Sequence, residues 1–194
     1  MYSLDELKSS AGVALYNYAK SLIPGGTQLL SKRPEMFAPD VWPAYYSKAK
    51  GCRVWDLHGR EYIDMSIMSV GACILGYADD EVDEAVMRAI RDGVNSSLNC
   101  PEEVYLAEAL IELHPWFDMV RYARSGGEAM SMAVRIARAH TKRDTVMFSG
   151  YHGWNDWYLA ANLKNPKKLD QHLLSGLKTN GVAESLSGST LSFN

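Results

Sequence analysis

The segment that most constrains this chain is Ser125-Gly126-Gly127, set between an apolar run and a helix-periodic stretch. The run before it is Met119-Val120-Arg121-Tyr122-Ala123. After it, Ala129, Met130, Ala133, Ile136 and Ala137 recur at the spacing of one helical face, which predicts a helix from about Gly127 to His140. A second apolar run, Thr145-Val146-Met147-Phe148, follows. Short apolar runs of this kind read as buried strands. Strand, helix, strand in that order predicts a βαβ unit and a parallel sheet.

The junction has chemistry of its own. The first N–H groups of a helix have no partner within the helix, and the helix dipole places positive potential there. Glycines let an anion approach that backbone with no Cβ in the way. Ser125 can add a hydroxyl donor or act as the N-cap. A capped turn alone would also explain the Gly-Gly pair. The motif is neither G-x-G-x-x-G nor a Walker loop, so dinucleotides and nucleoside triphosphates are not indicated. Tyr151-His152-Gly153-Trp154 follows the second run. In a parallel sheet, ligands bind beyond the carboxyl ends of the strands, where both motifs would lie. Aromatic rings in such a loop can stack on a planar ligand or simply cover the core. Taken together, the two motifs favour a planar, phosphorylated ligand.

Elsewhere the pattern is less specific. Ser3 and Glu6 have capping-box spacing ahead of a helix expected to run to about Ala19, before Pro24-Gly25-Gly26. An extended loop is expected to about Pro43. Cys52–Asp56 and Glu61–Met65 read as antiparallel strands around the turn Leu57-His58-Gly59-Arg60. Asp79 or Asp80 could cap a helix with Val82, Ala85, Val86, Ala89 and Ile90 on one face. Pro101 suits the first turn of another helix. Met65, Met68, Met130 and Met132 read as core filling. From Asn162 onward the chain turns polar and rich in Gly and Ser.

Composition excludes several classes. Formal net charge is −3, which offers no electrostatic drive toward nucleic acid. The three cysteines, Cys52, Cys73 and Cys100, have no CxxC spacing, which predicts neither disulfides nor a zinc site and points to a cytoplasmic protein. The histidines lack metal-ligand spacing. Acids at the start of the chain argue against a signal peptide, and no apolar run has the length of a membrane span.

Read together, these motifs resemble the N-terminal part of the class III aminotransferases, in the branch of glutamate-1-semialdehyde 2,1-aminomutase. The matching residues are Pro24-Gly25-Gly26, the stretch from Gly51-Cys52-Arg53-Val54-Trp55-Asp56 to Glu61-Tyr62-Ile63-Asp64, Ile74-Leu75-Gly76, Ser125-Gly126-Gly127-Glu128-Ala129 with Arg135-Ile136-Ala137-Arg138, and Tyr151-His152-Gly153. The resemblance implies an α/β fold: an N-terminal segment (residues 1–65: helix, loop and small antiparallel strands) plus the first part of the large parallel-sheet domain of a fold-type I transferase (66–194). It implies pyridoxal 5′-phosphate as cofactor, a homodimer, and a small-molecule amino-group donor or acceptor as substrate. Ser125, Gly126 and Gly127 would hold the cofactor phosphate. Tyr151 would stack on its ring, with His152 beside it. Lys32 or Arg33 would take the place of an arginine that holds the substrate carboxylate. Leu29 and Val70 depart from the aminomutase pattern, which leaves the substrate of a related transaminase equally open.

The family also needs a lysine to hold the cofactor and an acid at the pyridine nitrogen. No lysine here stands in a matching motif: Lys142 ends a helix, and Lys164, Lys167 and Lys168 fall in a polar stretch. The expectation is therefore a fragment of a longer enzyme, inactive alone. The alternative is a catalytically inactive short homologue that serves as an interaction module. Either way, a cut sheet would expose an edge and apolar surface that favour aggregation.

Overall fold

The computed structural model describes residues 3–66, 69–170, 172 and 176–193. The chain forms two compact units, Met1–Asn99 and Cys100–Asn194.

In the first unit, α1 (Leu4–Lys8) opens on the expected capping box: Glu6 N–H donates to the Ser3 hydroxyl, and the Glu6 carboxylate accepts from Ser3 N–H. The single expected helix is in fact two. Ser10 is a second N-cap, accepting from Val13 N–H, and starts α2 (Ala11–Leu22). Serine favours caps over helix interiors because its side chain competes for backbone groups, so the Ser9-Ser10 pair breaks the run. The segment expected to be extended instead carries three short 3₁₀ turns, Pro24–Gly26, Leu30–Lys32 and Pro34–Met36.

Three antiparallel strands follow: β1 (Tyr46–Lys50), β2 (Arg53–Asp56) and β3 (Glu61–Ile63). Asp56 is buried and organises the β2–β3 turn. Its Oδ1 accepts from His58 N–H at 2.8 Å and Arg60 N–H at 2.9 Å, and its Oδ2 accepts from the Tyr62 hydroxyl at 3.1 Å. His58 Nε2 accepts from Ala11 N–H at 2.9 Å, which ties the hairpin to the start of α2. Asp79, rather than Asp80, caps α3 (Asp80–Asp92). The apolar face of α3 is exposed, including Val82, Val86 and Ile90. Met65 is 89% exposed and fills no core; Met68 lies outside the described residues.

The second unit holds α4 (Glu102–Leu113), α5 (Gly126–Thr141), β4 (Val146–Phe148), α6 (Asp156–Leu159) and β5 (Thr190–Ser192). Pro101 stands at the N-cap of α4. β4 and β5 pair in parallel. Residues 119–123 form no strand: a strand exists only against a hydrogen-bonded neighbour, and among the described residues this run has none. The expected βαβ arrangement around α5 is therefore not formed, and the parallel pair joins β4 to β5 instead.

The core of this unit gathers Val134, Phe148, Trp157 to Ala161, Leu169, Leu177 and Val182. α5 contributes Val134 and, partly, Met130, whereas Ile136 on the expected apolar face is exposed. The stretch after residue 162 is not merely polar tail. Asn162 is buried, donates to the Leu177 carbonyl at 3.0 Å and accepts from Leu169 N–H at 2.9 Å. That one amide draws Leu169 and Leu177 into the core.

Candidate cofactor site

Ser125 is the N-cap of α5, in extended backbone, and its hydroxyl oxygen accepts from Glu128 N–H at 3.3 Å. Glu128 reaches back to accept from Arg124 N–H at 2.9 Å. The first backbone bond of the helix runs from Ala129 N–H to the Ser125 carbonyl at 3.0 Å. Among the described residues, no acceptor meets the N–H groups of Gly126 and Gly127. These two donors, with the hydroxyl proton of Ser125, mark the cradle. The space on the Gly126 side is open, since an added Cβ would meet nothing within 4 Å.

The loop after β4 lies against this cradle. Gly153 has φ +92, and a Cβ there would stand 3.2 Å from Gly127 Cα. Asn155 Nδ2 donates to the Gly127 carbonyl at 3.1 Å. The structure thus brings together the two motifs that the sequence left 24 or more positions apart.

Tyr151 is half-buried, its ring edge-to-face with Tyr158 at 5.7 Å and 85°. Burial pushes the Tyr151 phenol up, with Trp154 opposing, so it is a neutral ring near pH 7. Tyr158 is fully buried, and its phenol is pushed up to about 12 by burial and then by Tyr151. His152 Nε2 lies 2.7 Å from the Ser149 carbonyl. A carbonyl only accepts, so Nε2 carries the proton and donates it there. The His152 ring packs against Phe148 at 5.6 Å and Trp157 at 5.9 Å.

Lys32 and Arg33 lie in the first unit. Lys32 is exposed at the end of a 3₁₀ turn, and the half-buried Arg33 donates through Nε to the Leu30 carbonyl at 3.3 Å. Sequence reasoning missed Asn155. An asparagine before a short helix looks like an ordinary cap, and nothing local signals its reach to Gly127.

Residues 36–180 match the family model "Aminotransferase class-III". The chain is 36% identical over 166 residues to 3-aminobutyryl-CoA aminotransferase of Cloacimonas acidaminovorans, covering 85% of this chain and 40% of that protein. It is 42% identical over 149 residues to glutamate-1-semialdehyde 2,1-aminomutase of Desulfovibrio desulfuricans, covering 76% and 34%. Among solved structures, an omega-transaminase from Sphaerobacter thermophilus superposes with a TM-score of 0.77 at 29% identity, over 95% of this chain and 41% of that one. A transaminase with PLP bound superposes with a TM-score of 0.75 at 34% identity, over 92% and 40%. The chain spans between about a third and two-fifths of the length of these relatives. The chain belongs to the class-III aminotransferases.

Proposed function

We propose that this chain is the N-terminal part of a pyridoxal 5′-phosphate-dependent aminotransferase or aminomutase, and that it supplies the phosphate-binding and ring-binding half of the cofactor site. The observation that carries the reading is the junction of Gly127 with Gly153 and Asn155, which places two unpaired helix-start amides beside the Tyr151 loop. The residues fit the group. A phosphate dianion is served by the Gly126 and Gly127 N–H groups, by the Ser125 hydroxyl proton and by the positive end of α5. Tyr151 offers a neutral aromatic face, and His152 is the next residue of the same loop.

When bound, the cofactor supplies the electron sink for chemistry at the carbon bearing the substrate amine. The residues of this chain bind and orient it. Lys32 and Arg33 are the candidates to hold a substrate carboxylate. The lysine that carries the cofactor, and acts as the proton-transfer base, belongs to the remainder of such an enzyme. The division at residues 65 and 66, the homodimer and the cytoplasmic setting belong to this same reading.

The exposed apolar face of α3 favours a second reading, a catalytically inactive homologue that pairs with a full-length subunit.

The test uses 4′-deoxypyridoxine 5′-phosphate, which has ring and phosphate but no aldehyde to react with lysines. Equilibrium dialysis should show binding that Gly126→Asp abolishes and Tyr151→Ala weakens, with inorganic phosphate competing. Absence of binding to the unaltered chain, or indifference to Gly126→Asp, would overturn the proposal.

A further inference from the structure

Asn155 occupies the N-cap position of α6 in extended backbone, yet its side chain makes no capping bond to that helix. Asparagine is among the strongest N-caps because its side-chain oxygen can accept from the amide two or three residues on. Here that local option is not taken. Nδ2 donates instead to the Gly127 carbonyl at 3.1 Å, across 28 positions of sequence, and to the His152 carbonyl at 3.4 Å. Both neighbours only accept, so the nitrogen end of the amide must face them. Gly153 closes the same junction: a Cβ on it would stand 3.3 Å from Asn155 Nδ2 and 3.2 Å from Gly127 Cα. A residue that forgoes its local preference for a distant contact marks a place where position matters beyond local stability.

Resting on the function proposed above, we infer that Asn155 is the positioning residue of the cradle: its amide fixes the span between the Gly126 and Gly127 donors and the Tyr151 ring. A free phosphate needs only the amides. A ligand that carries phosphate and aromatic ring on one short linker needs amides and ring at a set separation. Loss of the clamp therefore penalises the joined ligand and spares the free anion.

The experiment measures dissociation constants of the full 194-residue chain for 4′-deoxypyridoxine 5′-phosphate and for inorganic phosphate. Asn155→Leu keeps the branched side-chain shape without the donor, and Asn155→Ala removes both; thermal melts followed by circular dichroism verify that each is folded. Each variant should bind the ring-phosphate probe about tenfold more weakly, the ratio that one hydrogen bond of ordinary strength sustains. Inorganic phosphate should change by no more than about twofold. Equal loss of both probes would reduce Asn155 to a brace for folding and overturn the inference, as would no loss of either. If the unaltered chain binds neither probe, the cofactor reading itself fails. If it binds both and the variants keep the same affinity ratio, only the clamp fails.

Discussion

Gly153 touches Gly127 backbone to backbone, so closely that a methyl group on Gly153 would stand 3.2 Å from Gly127 Cα. Gly153 also has φ +92, a region that L side chains rarely adopt. Gly153→Ala should therefore destabilise the second unit by roughly 1–3 kcal/mol. Gly126→Ala, with nothing within 4 Å of its new Cβ and no positive φ, should be neutral or slightly stabilising. Urea unfolding of the two variants checks this, and equal midpoints would refute the close approach.

Ser125 has two separable roles. Ser125→Ala removes the cap acceptor for Glu128 N–H and should cost about 0.5–2 kcal/mol. Ser125→Asp keeps an acceptor and adds a charge that suits a helix start. It should retain stability yet weaken binding of 4′-deoxypyridoxine 5′-phosphate by placing an anion in the cradle. Stability and binding that fall in parallel in Ser125→Asp would contradict the assignment.

Glu35 gives the first unit an acid-sensitive element. Its own backbone N–H, the Tyr16 hydroxyl at 2.8 Å and Lys20 at 3.0 Å lower its carboxyl from 4.5 to about 2. A folded-state value below the unfolded one means a stabilising contribution that is complete above pH 4.5 and lost as pH falls through about 2. Glu35 and Lys20 are 45% and 46% exposed, so solvent screens the effect and keeps it small. Glu35→Gln should lower the unfolding midpoint at neutral pH, with the gap to the unaltered chain closing near pH 2. A gap that persists there would count against the ion pair and hydroxyl as its source.

Lys142, Lys164, Lys167 and Lys168 are exposed. Pyridoxal 5′-phosphate followed by borohydride should leave substoichiometric adducts scattered over surface lysines. Peptide mass mapping reads this directly, and one stoichiometric adduct on a single lysine would show that the chain carries its own cofactor-holding residue.

On α3, Val82, Val86 and Ile90 are 47%, 51% and 57% exposed. Apolar faces of this kind drive association. Light scattering should show concentration-dependent self-association, reduced by Val86→Lys with Ile90→Glu. An unaltered profile would mean that this face does not contribute.

Local signals in the sequence were the readable ones. Ser3, Asp79 and Ser125 each cap the helix their spacing indicated, because a cap depends on residues no more than a turn away. The Asp56–Tyr62 hairpin was legible for the same reason. Residues 119–123 misled because a strand requires a partner that composition cannot supply. The core contributed by Leu169, Leu177 and Val182 was hidden because isolated apolar residues in a polar stretch carry no period. The cradle was visible as Ser125-Gly126-Gly127 and its partner loop as Tyr151-His152-Gly153. The Asn155 clamp between them was not, because it exists only once residues 28 positions apart have met.

The Asn162 amide bears on how the second unit opens. Leu169 N–H is held inside by a side chain rather than by a ladder or helix that could fray from one end. The nitrogen of the same buried amide holds the Leu177 carbonyl, so one side chain ties both segments to the core. Its hydrogen exchange should therefore track the global unfolding of the unit and not local fluctuation, making that single amide proton a gauge of whether the stretch after Asn162 is seated.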